Sequence, residues 1–154
     1  MRQLPCYCSG VNPTQEQALL ERYYTPQPRT DFAQQAREHI NACIDLSDGL
    51  LGDLAHILEA SGVSAQLTLE ALPYSKTLMA VLCAEQRERV ALGGGDDYEL
   101  CFTVAPESVA RVQAIARSLG LAVTPIGVIT EGSGLTLNRA GEAIELTSNA
   151  YRHF

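Results

Sequence analysis

Tryptophan is absent from the 154 residues, and aromatic side chains of any kind make up only 6% of them. Positive charge is short as well: 11 Lys and Arg face 18 Asp and Glu, a formal net charge of −7. That balance argues against broad binding to nucleic acid or to an anionic membrane. A phosphorylated small substrate stays open, because magnesium bridges acidic protein groups to acidic ligands. No apolar run approaches a membrane span and no charged-then-apolar leader opens the chain, so the expected location is the cytoplasm.

The cysteines do not form a disulfide framework, since Cys6, Cys8, Cys43, Cys83 and Cys101 are odd in number and irregularly spaced. Cys6-Tyr7-Cys8 supplies two soft ligands where a closed metal site needs four, and reads as two free thiols in an unstructured end. Cys43 and Cys101 fall in apolar strand-like runs and read as small core residues. No two of His39, His56 and His153 stand at metal-ligand spacing, so His39 and His56 read as surface or packing residues.

What is present is a globular composition, 46% hydrophobic and 19% charged, of a size that buries one core. Residues 1–12 show no periodicity and read as a loose leader before a single domain at 13–154. A helix is expected from Pro13, with Thr14 as cap and Gln17 completing a capping box, and Pro26 and Pro28 break it. Helix is expected again over 31 to about 40, then a strand at Ala42–Leu46 and a helix from Asp48 to about residue 59. Val63–Leu69 alternates as a strand. Ser75 caps a short helix, Glu85–Leu92 is a second, and Gly93-Gly94-Gly95 reads as a flexible break. Strands are expected at Tyr98–Val104 and Leu121–Ile129, flanking a helix that opens at Pro106. Gly134–Leu137 and Ala143–Leu146 form a hairpin. The fold class expected is α/β (α+β), a mixed β-sheet covered by helices.

Two stretches carry candidate chemistry. In Asp45-Leu46-Ser47-Asp48-Gly49-Leu50 a strand ends on an acid, and Ser47 stands where an N-cap belongs. Asp48 lies in the first helical turn, where the helix dipole favours negative charge. Capping alone explains Ser47 and Asp48 as well as ligand binding does; it leaves Asp45 unexplained. Two carboxylates, a hydroxyl and helix N–H groups suit a hard divalent cation and its phosphate oxygens. The second stretch, Gly93-Gly94-Gly95-Asp96-Asp97-Tyr98-Glu99-Leu100, lacks both the Lys-Ser/Thr of a P-loop and dinucleotide-fingerprint spacing. By itself it reads as a glycine loop with solvated acids, and Glu99 as a loop-orienting or a solvated strand residue.

Taken in order, Pro26-x-Pro28-Arg29, Asp45-x-Ser47-Asp48-Gly49-Leu50, Gly95-Asp96-Asp97-Tyr98-Glu99-Leu100 and the tail Tyr151-Arg152-His153-Phe154 resemble the C-terminal half of thiamine-monophosphate kinases, over roughly residues 13–154. Aminoimidazole ribonucleotide synthetase and selenophosphate synthetase share the general fold and are not expected to share this set. The resemblance implies transfer of the γ-phosphoryl group of ATP to thiamine monophosphate, with several Mg²⁺ ions. It implies Asp45 and Asp48 as magnesium ligands, Ser47 as a nucleotide contact, and Asp96 and Tyr151 as substrate contacts. Asp96 stands for a usual Glu, Ala150 for a usual Gly, and a glycine usual within Arg29–Gln34 is missing. It also implies an N-terminal kinase domain that carries most of the acids and forms the dimer, so this chain is expected to have little or no activity alone. The alternatives are a non-catalytic ligand-binding or assembly module, self-associating or complementing a separate domain, and another ATP-using member of the superfamily.

Overall fold

The computed structural model describes residues 12–144. Cys6, Cys8, Ala150, Tyr151 and the rest of the aromatic tail lie outside them, as do Glu145 and Leu146 of the expected hairpin.

In chain order the elements are α1 (Pro13–Tyr24), α2 (Thr30–Ala36), β1 (Ala42–Asp45), α3 (Leu50–Ser61), β2 (Ser64–Thr68), α4 (Lys76–Val81), α5 (Ala84–Gly93), β3 (Leu100–Thr103), α6 (Val109–Ser118), β4 (Gly127–Thr130), β5 (Gly134–Arg139) and β6 (Glu142–Ile144). The strands make two sheets. One is mixed, in the order β4-β2-β5-β6, with β2 and β5 parallel and the outer pairs antiparallel. The other is the antiparallel β1–β3 ribbon, which stands apart from the first sheet. The mixed α/β class expected from the sequence is thus present, with its strands divided between two sheets.

The α3 helix presents Leu50, Leu51, Leu54, Ile57 and Leu58 to a core completed by Ala65 and Leu67 of β2, Leu137 of β5 and Leu92 of α5. A second core gathers Phe32 and Ala36 of α2 with Val112, Ile115 and Ala116 of α6. The β1–β3 ribbon lies between them. Ala42, Ile44 and Cys101 pack against the α3 core, whereas Leu100 and Phe102 pack against the α2–α6 core. Period-two alternation along a strand produces this division, and burial on both faces fixes the register Asp45↔Leu100 at the ribbon's end. That end is where the two candidate stretches meet.

Several local expectations are corrected. The capping box of α1 uses Asn12 and Gln15, because Asn12 Oδ1 takes the Gln15 N–H at 2.9 Å; Thr14 and Gln17 lie inside the helix. Leu121–Ile126 forms no strand: Pro125 removes a ladder donor, and only Gly127–Thr130 pairs, at the sheet edge. Cys43 is exposed rather than a core residue: it shares a ribbon face with its partner Phe102, but the α2–α6 core covers Phe102 and does not include Cys43, while Cys101 is partly buried.

Candidate functional site

The turn between β1 and α3 is held from inside the helix. Asp53, 3% exposed, accepts the N–H groups of Ser47 at 2.9 Å and Asp48 at 3.1 Å on one carboxylate oxygen. The helix begins at Leu50 with Gly49 in the N-cap position, and no side chain caps it. Ser47 is therefore not the cap, nor is Asp48 in the first turn. The reason is geometric: Gly49 has φ +104°, outside the helical range, so the chain enters α3 two residues later than the apolar pattern suggests. Asp53 supplies the first-turn negative charge instead.

The glycine loop is fastened to this turn by backbone bonds. Leu46 N–H donates to the Glu99 carbonyl at 2.8 Å, Tyr98 N–H to the Leu46 carbonyl at 2.9 Å, and Asp96 N–H to the Ser47 carbonyl at 3.0 Å. A Cβ at Gly49 would stand 2.9 Å from the Gly93 carbonyl carbon, and one at Gly95 would drive into the Ser47 carbonyl oxygen. The glycines permit close backbone approach, so the expected flexible break is a packed joint. Gly93 itself closes α5.

Two non-glycine residues of the loop take left-handed backbone angles, Asp96 at φ +65° and Tyr98 at φ +51°. Asp tolerates this conformation; for Tyr it is unusual and is sustained by the surrounding bonds. The Tyr98 hydroxyl donates to Asp96 Oδ1 at 3.3 Å. This bond and the charge of Asp96 raise the phenol above its ordinary value, and Asp45 and Asp48 push it the same way. The backbone bonds thus set the segment of Asp45, Ser47 and Asp48 beside that of Asp96. Asp97 beside them is held above the usual carboxylate range, chiefly by desolvation and then by the charge of Glu99.

The other wall is the segment joining α1 to α2. Arg29 Nε donates to Glu99 Oε2 at 2.9 Å and its Nη2 to Oε1 at 2.7 Å, while Arg22 reaches the same Oε1 at 2.8 Å. The Arg29 bond holds the Glu99 carboxyl below its ordinary range. Glu99 is thus a clamp rather than a solvated strand residue. Between this segment and the ribbon end runs a groove of about 320 Å³, lined among others by Pro26, Pro28, Ala33, Asp45, Tyr98 and Leu100.

Asp45, Ser47, Asp48 and Asp96 are brought together; Tyr151 lies outside the described residues. Sequence reasoning missed Asp53, Tyr98 and the pairing of Arg29 with Glu99. Asp53 had a signal, an acid set among Leu50, Leu51 and Leu54 on a face that must be buried. The donor chemistry fits magnesium, since carboxylates are hard oxygen ligands. Among the described residues, however, no three of His, Cys, Asp and Glu are grouped to hold an ion.

The family model described as AIR synthase related protein, C-terminal domain, matches residues 10–139. The thiamine-monophosphate kinase of Escherichia coli is 42% identical over 137 residues, 88% of this chain and 42% of that protein. The enzyme of Haemophilus influenzae is 39% identical over 140 residues, again 88% of this chain and 43% of the relative. The crystal structure of the kinase from Stenotrophomonas maltophilia superposes with a TM-score of 0.79 at 38% identity, over 88% of this chain and 42% of that one. A structure of AaThiL complexed with AMPPCP and TMP superposes at 0.68 and 30% identity, over 90% of this chain and 42% of that one. The chain thus spans less than half the length of the kinases it matches.

Proposed function

Because the chain belongs to the AIR synthase related proteins through their C-terminal domain, we propose that it forms one half of a thiamine-monophosphate kinase centre, phosphorylating thiamine monophosphate with ATP to thiamine diphosphate. The observation that carries this reading is the joint itself. Three backbone hydrogen bonds lock the Asp45–Asp48 turn to the Asp96–Glu99 stretch, so that the acids of the two segments are held side by side, with Asp45 lining the groove. The relatives supply the chemistry: they are thiamine-monophosphate kinases, and AaThiL binds AMPPCP and TMP together.

In this reading Asp45 and Asp48 hold magnesium, which when bound neutralises charge on phosphoryl oxygens. Ser47 contacts the nucleotide, Asp96 contacts thiamine monophosphate, and Tyr151 packs its ring on the substrate heterocycle. Phosphoryl transfer depends on positioning and charge neutralisation. Asp53 positions the turn and the Arg29–Glu99 pair positions the loop. A second domain supplies the remaining acids, so the chain alone turns over little or no substrate. Its proposed location is the cytoplasm; among the described residues no helix is long and apolar enough to cross a membrane.

A second reading, a ligand-binding or assembly module without catalysis, is favoured by the lack of a three-acid grouping among the described residues. Calorimetric titration with thiamine monophosphate, with and without Mg²⁺-ATP, tests the first reading. Binding that is lost in Asp96→Ala and Tyr151→Ala supports it, and absence of binding under every condition refutes it. Turnover by the chain alone at ordinary kinase rates would contradict the need for a second domain. Binding without turnover, unchanged when the matching N-terminal kinase domain is added, selects the module.

A further inference from the structure

We propose that the free edge of β4 is a self-association surface, at which Gly127–Ile129 pairs antiparallel with the same residues of a second copy of this chain, about a two-fold axis through Val128. The contact is independent of the kinase reading and lies apart from the dimer that the resemblance assigns to an N-terminal domain.

Backbone geometry fixes which groups the edge offers. β4 closes one side of the mixed sheet, and among the described residues no strand pairs with its outer side. Thr68 N–H donates to the Ile126 carbonyl at 2.8 Å, so this opposed pair is hydrogen-bonded, and bonded and non-bonded pairs alternate from there along the antiparallel ladder. Val128 therefore bonds to Gln66, whereas the N–H and carbonyl groups of Gly127 and Ile129 point away from β2 to the free edge. Those groups match a two-fold partner. With Val128 opposite Val128, Gly127 of each copy stands opposite Ile129 of the other, and both pairs exchange N–H···O bonds. In that register Pro125 stands opposite Glu131 of the second copy; it has no N–H to give, so the ladder ends there.

The side chains complement themselves in the same register. Val128 is 60% exposed and Ile129 43%. Val128 lies on the sheet face of Gln66 and Thr136, and across the axis two valines meet in the closer, non-hydrogen-bonded kind of pair. Ile129 lies on the other face, with Ala65, and meets Gly127 of the second copy. A Cβ at Gly127 would drive into the Gln66 carbonyl oxygen, so the position carries no side chain and leaves room for the isoleucine.

Charge selects both this edge and a second copy. At a net charge of −7 two copies repel, yet no residue between Arg117 and Glu131 is charged. Around Val128 the outer face is carried by Ser64, Gln66, Thr130 and Thr136, all uncharged, so two copies meet here without opposing like charges. Edge strands are ordinarily guarded by charged side chains; β4 has none, while the opposite edge, β6, carries Glu142. A strand this short buries less than the ~1,200 Å² of a standard interface, so the dissociation constant is expected to be on the order of 0.1 mM.

The test is sedimentation equilibrium of the full chain from about 10 µM to about 1 mM at physiological salt, with neither nucleotide nor thiamine compound present. A monomer–dimer equilibrium is expected. Val128→Lys sets two ammonium groups across the axis and should weaken the dimer at least about tenfold, with little effect on folding at an exposed position. The same change lowers the net negative charge, so an association centred elsewhere would strengthen instead. In amide hydrogen exchange, Gly127 and Ile129 should slow about threefold or more between the two concentrations, while Val128, already bonded to β2, is slow at both. A chain that stays monomeric throughout overturns the proposal, as does growth beyond a dimer or a dimer that Val128→Lys leaves unchanged or tightens. A dimer without added protection at Gly127 and Ile129 forms through another surface and overturns it too.

Discussion

Arg29 grips Glu99 through both carboxylate oxygens, at 2.7 and 2.9 Å, across 70 positions of sequence. The fork ties the segment before α2 to the first residue after the acidic loop. Glu99 is also the residue whose carbonyl receives the Leu46 N–H, so one residue joins the α1–α2 segment, the loop and the β1 turn. A planar guanidinium meets both oxygens at once, which an ammonium cannot do.

Arg29→Met is expected to cost about 1–2 kcal/mol of stability, discounted for the partial exposure of Glu99. Arg29→Lys should recover only part of it, as read from urea unfolding. The pH dependence has a definite sign. The folded Glu99 carboxyl is held down by Arg29, while the unfolded chain regains a value near ~4.3. The contribution is therefore present above that value and is lost as pH falls through the folded one. The difference in urea midpoint between wild type and Glu99→Gln should be widest near neutrality and close in acid. A difference that stays constant down to the acid limit removes the ion pair as its cause.

Burial pushes the Cys101 thiol up to about 11, with Cys43 and Asp53 adding to the shift. Cys101 lies on the ribbon face packed against the α3 core, whereas Cys83 is exposed. Against an unshifted thiol, its thiolate fraction at pH 7 is about 100-fold smaller. Iodoacetamide labelling followed by mass spectrometry should modify Cys83 well before Cys101. Equal rates would show that the ribbon opens from the core faster than the reagent reacts.

Gly95→Ala should destabilise the protein by about 2 kcal/mol or more, since the added methyl meets the Ser47 carbonyl and backbone must move. Gly52→Ala is the control. Its methyl would stand 4.0 Å from Asp48 Cβ, within the exposed face of α3. Replacing this first-turn helical glycine should stabilise by up to about 0.5 kcal/mol. The two variants have opposite signs only if the glycine loop is packed on the turn. Thermal unfolding of both decides it.

The elements themselves were legible where side-chain period was strong. Leu50, Leu54 and Ile57 marked α3, Val112, Ile115 and Ala116 marked α6, and Ala65 and Leu67 marked β2. Adjacent acids and glycines also marked the candidate site, because Asp45, Asp48 and Asp96 stand beside residues that break regular structure. What stayed hidden depended on contacts distant in sequence or on backbone angles. The Arg29–Glu99 pair joins residues that no local pattern links. Whether three glycines mean slack or close packing depends on what lies against them, which here is the Ser47 carbonyl. The start of α3 was misplaced for a similar reason: Ser47 has the chemistry of a cap, but the φ of Gly49 sets where helix begins.

Asp53 provides the sharpest test of how the turn is held. It is the buried carboxylate of α3, and its one oxygen accepts two backbone donors of the turn. Asp53→Ala leaves both N–H groups without that partner and should cost about 2–3 kcal/mol. Asp53→Asn keeps an acceptor but loses the charge, so its cost should be about half. A packing defect alone would give the same order, because Asn nearly matches Asp in volume whereas Ala leaves a cavity. Amide hydrogen exchange separates the cases. Ser47 and Asp48 should lose protection selectively in Asp53→Ala, while the β1–β3 bonds keep theirs under conditions where the fold is intact. If protection instead falls evenly across the ribbon and α3, Asp53 supports the fold as a whole, and the turn is held by the loop bonds alone.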